Sequence, residues 1–175
     1  MANSNSNQNE IKKSDRKYEY CFRDQKSPGG MRPNPHRMAF IDKNIIPDAN
    51  FFLATYMMPD EIPGFHGPHE HPNGEILAYF GTDPNNPTDL GGQITFYMGE
   101  EMEKYTFDTT KVVYIPPNTV HCPIVYDRID KPILFVYTMP VGELKETSRK
   151  DLLDRVPAEL RDKLIFPHDP DHKRK

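Results

Sequence analysis

The sequence contains no tryptophan and only two cysteines, Cys21 and Cys122, in 175 residues. Two cysteines cannot build a disulfide framework, so a hydrophobic core must hold the fold, and a reducing compartment is the simplest setting. A single Cys21–Cys122 bridge stays open at this level. No apolar run approaches the roughly twenty residues that span a membrane, and the N-terminus lacks the apolar stretch of a secretory signal. A strong charge of one sign is absent as well: the net charge is −4, with both signs scattered along the chain. The basic stretches at Lys12 to Lys17 and Lys173 to Lys175 are short, terminal and free of interleaved aromatics. They read as solvated tails. The expectation is a cytoplasmic protein with neither a nucleic-acid nor a membrane partner.

What is present suits one compact domain with tails. Residues 1–17 are almost wholly polar and cannot repay their ordering entropy, so they are expected to be a disordered tail. Residues 168–175 are expected to be a second polar tail. Between them, 18 Pro and 10 Gly punctuate short β-prone runs. The runs are Phe51 to Met58, Glu75 to Phe80, Gln93 to Met98, Lys104 to Phe107, Lys111 to Ile115, Thr119 to Tyr126 and Ile133 to Met139. Ile94, Phe96 and Met98 share one strand face, and Gln93, Thr95 and Tyr97 the other. The run ILFVYTM alternates less cleanly, as a strand covered on both sides would.

Within residues 18–50, CFR and MAFI are short pieces suited to an edge strand or two. Residues 146–167 are expected to be helical. There Ser148 can cap KDLLDRV, and Pro157 suits the first position of AELRDKLI. Their leucine, valine and isoleucine stripes would pack on the barrel exterior or a partner subunit. The turn-rich connection Gly81 to Gly92 reads as an extended hairpin loop, with a lid over a pocket as the alternative. The fold class is therefore all-β, with one or two C-terminal helices.

One constellation carries chemistry. In HEHPNGE, His69 and His71 lie two apart, which on a strand puts both imidazoles on one face. Pro72, Asn73 and Gly74 supply a tight turn, and Glu75 opens the next strand with its carboxylate returning alongside. His121 arrives from PPNTVH, where a Pro-Pro-Asn turn leads into a strand. Three imidazoles and one carboxylate suit one divalent first-row transition metal: Fe, Mn, Ni, Co or Zn. With six-coordination, two positions stay open to small molecules.

The stretch HEHPNGEILAYFG resembles the first cupin motif, and PPNTVH resembles the second. Gly81 falls one residue early in the pattern. Gly64 and Gly67 stand in for the displaced Gly ahead of the HxH. Asn118 replaces the Gly of the second motif, and Val125 takes the place of its Asn. Asn tolerates the left-handed conformation that Gly supplies. The resemblance covers Phe51 to Met139 and implies a double-stranded β-helix, a small RmlC-like jelly-roll barrel; the barrel domain with its N-terminal extension is placed at residues 18–145. It implies His69, His71, Glu75 and His121 as ligands of the metal inside, and a homodimer by family habit; covering sheet edges points the same way.

Tyr79 shares the Glu75 face and is a candidate for a substrate pocket, as is His66 close to the ligands. A continuous strand would turn His66 away from them. Cys122 should alternate to the face opposite His121 and act as a small buried hydrophobe. Arg32, Arg37 and Arg128 can pair with a substrate carboxylate, but nothing in the sequence aims them. The catalytic residues are not assigned. The leading expectation is a metal-dependent enzyme acting on a small polar carboxylate or oxygenated molecule, by dioxygenase, decarboxylase, lyase or isomerase chemistry. The alternatives are a non-catalytic, metal-assisted ligand-binding or sensing cupin, or a barrel that metal merely stabilises.

Overall fold

The structure is a computed structural model that describes Tyr18, Cys21, Phe22 and residues 36–59 and 65–167. The two tails expected at 1–17 and 168–175, and Arg32, lie outside the described residues. Among the described residues twelve strands appear in the order β1 (Arg37–Ile41), β2 (Phe51–Met57), β3 (Phe65–His66), β4 (His69–Glu70), β5 (Glu75–Gly81), β6 (Asp89–Met98), β7 (Glu103–Thr109), β8 (Lys111–Ile115), β9 (His121–Ile129), β10 (Ile133–Met139), β11 (Thr147–Ser148) and β12 (Leu164–Ile165). The MAFI piece forms most of β1. Cys21 and Phe22 belong to no strand, and both cysteines are free, with Cys21 exposed and Cys122 buried.

Two five-stranded sheets carry the fold, in the orders β1-β2-β10-β5-β8 and β11-β4-β9-β6-β7. Every pairing within them is antiparallel. The alternation of β5 decides its packing: Leu77 and Tyr79 face inward while Ile76 and Phe80 face out. From the other sheet, Leu90, Ile94 and Phe96 meet them, and Ile115, Tyr126 and Ile133 complete the core between the sheets. Glu75 opens the same inward row, so a carboxylate stands where the core ends and a cavity begins.

The outward face of β6 is covered too. Tyr97 packs with Phe65, Met102 and Val120 against Leu152, Val156 and Leu160 of the C-terminal segment. That segment therefore lies on the barrel exterior. It departs from the two amphipathic helices expected there, forming a 3₁₀ helix at Lys150–Arg155 and one α-helical turn, α1, at Ala158–Arg161. Ser148 caps neither, because it pairs in β11 with His69 of β4. Leu164 and Ile165 leave the helix to pair in parallel with Phe65 and His66. Helices of one or two turns are marginal alone, and open strand edges on the barrel win these residues.

The connection after Gly81 is also reassigned. It joins β5 of one sheet to β6 of the other, so it is an arch between sheets rather than a hairpin. Thr82 donates to the Pro132 carbonyl at 2.8 Å, and Lys131 pairs with Asp83 at 2.9 Å. The arch lies at the end of β5 opposite Glu75, about 20 Å away by strand rise, and none of its residues lines the cavity. It is no lid.

Candidate metal centre

β4 and β9 lie side by side with His69 directly opposite His121. His71 follows the end of β4, and the Pro72-Asn73-Gly74 turn brings Glu75 back beside both. Asn118 sits at φ 56°, the left-handed conformation a Gly would adopt, and its N–H donates to the His71 carbonyl at 2.7 Å. The turn before β9 is thereby tied to the turn before β5. The ring centroids of His69 and His121 are 4.2 Å apart, those of His69 and His71 5.0 Å, and those of His71 and His121 5.3 Å. The four side chains are only 2–4% exposed.

Each imidazole is oriented from behind by a backbone carbonyl. His69 Nδ1 donates to Gly67 at 2.8 Å, His71 Nδ1 to Lys145 at 2.6 Å and His121 Nδ1 to Thr119 at 3.0 Å. A carbonyl oxygen can only accept, so every Nδ1 carries the proton and every Nε2 points into the site. A side chain at Gly67 would collide with the Phe166 ring, so the position behind His69 requires a Gly. Burial foremost, then the neighbouring His121, holds the His69 pKa well below the imidazole range, and burial lowers that of His71. Both rings are therefore neutral at pH 7, with Nε2 lone pairs available.

The Glu75 carboxylate lies beside two of the three imidazoles. Glu75 Oε1 stands 2.8 Å from His121 Nε2, and Oε2 stands 3.5 Å from His71 Nε2. Burial pushes the Glu75 carboxyl up. The contact with His121 foremost, then His71 and the Tyr137 hydroxyl, outweigh it, so its pKa lies below the ordinary value. Yet Oε1 is buried without a well-aligned hydrogen bond. Nitrogen lone pairs and an ionised carboxylate, crowded together away from water, need a cation among them. His69, His71 and His121 offer ligand atoms within 4.8 Å of one another, a donor set that fits a borderline divalent metal.

The cluster forms one end of a cavity of about 310 Å³, walled mainly by apolar side chains of both sheets. Two antiparallel sheets in these orders, with both histidine stretches meeting between them, make a double-stranded β-helix. The chain has a cupin fold. Solved structures similar to it include an oxalate decarboxylase of Lactobacillus farciminis in complex with formate (17% identity, TM-score 0.45, 73% of this chain and 36% of that one). Another is an uncharacterized conserved protein with a double-stranded β-helix domain from Klebsiella pneumoniae subsp. pneumoniae (15% identity, TM-score 0.43, 67% of this chain and 84% of that one). A third is an oxalate oxidase with the substrate analogue glycolate (12% identity, TM-score 0.47, 75% of this chain and 64% of that one). The chain thus spans about a third of the decarboxylase, 36%. No protein-family model and no curated protein matches the sequence.

The barrel separates the remaining sequence candidates. His66 does face the cavity, because Gly67 and Pro68 break the strand between β3 and β4; its ring lies 5.8 Å from that of His69. Tyr79 does not line the cavity. It is fully buried below it, packed on Phe107 and Phe135 in the core. Cys122 lines the cavity instead of alternating away from it: the backbone there is left-handed, φ 74°, and the β6–β9 register shifts beside it. Its thiol pKa is pushed well up, first by burial and then by Glu75, so it is a protonated wall residue rather than a nucleophile. Arg128 is a surface residue paired with Asp130 at 2.6 Å.

Two residues escaped the sequence reading. Tyr137 lines the cavity, its hydroxyl bearing on Glu75 and lying 3.3 Å from the Met139 sulfur. Burial, then Glu75, pushes its pKa far up, so it stays a neutral hydroxyl. Glu146 joins His66 and His69 in a second group of ligand-type side chains on the wall. It sits after the last long strand in a stretch without periodicity, where nothing in the sequence marks it.

Proposed function

We propose that the protein is a metal-dependent enzyme acting on a small carboxylate or oxygenated molecule, with one divalent first-row transition metal held by His69, His71, Glu75 and His121. The observation that supports it is the trio of backbone carbonyls fixing each Nδ1–H, which commits three Nε2 lone pairs to one buried point, with the Glu75 carboxylate beside two of them. When bound, the metal supplies Lewis-acid or oxygen-activating chemistry at its open positions. The chain's own residues do the rest. The Lys145, Gly67 and Thr119 carbonyls hold the rings in place, and Tyr137 presents a neutral hydroxyl beside Glu75. The apolar wall excludes water, and His66 and Glu146 offer proton-exchanging groups on the cavity side of the cluster. With two free cysteines, the cytoplasm is the proposed setting. Among the described residues no helix is long and apolar enough to cross a membrane.

An open coordination position separates this reading from a closed, purely structural site. Protein reconstituted with Co(II) is expected to change its visible absorption bands when acetate, glycolate or benzoate is added. Bands indifferent to every small ligand would mark a closed site and remove the enzyme reading.

The proposed assembly is a homodimer. On the outer face of the β1-β2-β10-β5-β8 sheet, Ile76 lies beside Tyr114 and Ala78 beside Val112. Val112 and Tyr114 are each 60% exposed, and Phe52, Ile76 and Phe80 are exposed on the same face. A continuous apolar face of this kind marks an interaction surface. The wild type is expected to elute as a dimer and Val112→Glu with Tyr114→Glu as a monomer in light-scattering chromatography. A monomeric wild type would exclude this assembly.

A further inference from the structure

Arg37 opens β1 and lines the cavity, and its Nε and Nη1 are buried without a hydrogen-bond partner among the described residues. Other arginines of the chain are paired: Arg128 with Asp130, and Arg149 with Glu70, Glu100 and Asp151. Burial lowers the Arg37 pKa, and no acid among the described residues offsets it. Arg37 is itself half-buried, but two donors withdrawn from water and left unanswered are costly, and an anion in the cavity would answer them.

The sheet register fixes where that anion would lie. Arg37 pairs with Thr55, Thr55 with Phe135, and Phe135 with Tyr79, so these four form one rung across β1, β2, β10 and β5. Glu75 is four residues before Tyr79 on β5, about 13 Å along the strands, and three strands across from β1, about 14 Å. Arg37 and the histidine cluster therefore stand at opposite corners of the same inner face. Between them the wall is apolar, with Leu53, Leu77, Phe135, Ile124 and Met57. Nε–H and Nη1–H leave different edges of the guanidinium, so either buried donor can meet a carboxylate oxygen while the delocalised charge attracts the anion.

We infer that Arg37 is the carboxylate anchor of this cavity, and that its ligand is a monocarboxylic acid with an apolar body whose far end reaches the histidine cluster. The inference rests on the cavity being the substrate site proposed above. It excludes small dianions that would fill only the metal's open positions, and it assigns specificity to a residue remote from the proposed ligands.

The test is calorimetric titration of metal-reconstituted protein with acetate, butyrate, hexanoate and hexanamide. Affinity is expected to rise from acetate to hexanoate, by up to about fourfold per buried methylene, and hexanamide is expected to bind at least tenfold more weakly than hexanoate. Arg37→Met should lose about 10- to 100-fold in hexanoate affinity, keep its metal content and melt at or above the wild-type temperature. Arg37→Lys, which keeps the charge but not the placed planar donors, should fall between. Equal binding of acid and amide by the wild type overturns the inference without any variant, as does hexanoate affinity within twofold of wild type in Arg37→Met. Metal content, read on the same samples by elemental analysis, reports on the metal site separately.

Discussion

Replacing His71 with alanine is expected to weaken divalent metal binding by more than 100-fold while leaving the barrel folded. His71 Nδ1 is held by the Lys145 carbonyl at 2.6 Å, and its Nε2 faces Glu75 Oε2 at 3.5 Å. The variant removes one donor and leaves the carboxylate oxygen unanswered. Loss of an outer partner alone typically costs ~10–100-fold in metal affinity, so loss of the ligand itself exceeds that. The fold should tolerate it, because His71 belongs to none of the hydrophobic clusters. Competition with a chelating dye measures the affinity, and circular dichroism checks the fold. Cys122→Ser serves as the control: its protonated thiol lines the same wall, and its replacement should leave metal affinity within a few-fold. A His71→Ala affinity within tenfold of wild type would remove His71 from the ligand set.

The second large effect is structural. Ile94→Ala is expected to destabilise the protein by about 2–5 kcal/mol, through lost transfer energy and the cavity left behind. Ile94 is fully buried at the middle of β6, between Phe107 of β7 and Tyr126 of β9, in the cluster that joins the two sheets. Neighbouring strands fixed by backbone hydrogen bonds cannot collapse into the space. For a chain of this size the melting midpoint should fall by roughly 10 °C. Urea denaturation at unchanged slope gives the free energy directly. A loss under about 1 kcal/mol would mean the two sheets do not share one packed core at Ile94.

How much of this was legible follows from which rule each residue obeys. Strands with period-two patterning were readable: Ile94, Phe96 and Tyr97 face as the alternation of β6 requires. The four converging side chains were readable because HxH, a tight turn and a strand-opening Glu set parity locally, and Asn118 takes the left-handed turn that its residue type permits. Alternation failed where the backbone breaks it. Cys122 turns inward through a left-handed conformation, and His66 turns inward because Gly67 and Pro68 separate β3 from β4. The C-terminal segment has helical periodicity but spends its ends on strand edges, a tertiary choice that propensity does not record. Arg37 and Tyr137 owe their roles to pairing across β1, β2, β10 and β5, where partners such as Phe51 and Met139 lie far apart in sequence and no local pattern encodes them.

Those long-range contacts matter for function, because they build the wall that faces the histidine cluster. The cluster itself answers to one direct measurement: elemental analysis of the full chain after reconstitution, beside a His69→Ala, His121→Ala double variant. Close to one first-row metal per chain is expected in the wild type and almost none in the variant. A wild type without metal, or a variant that retains as much, would contradict the metal centre.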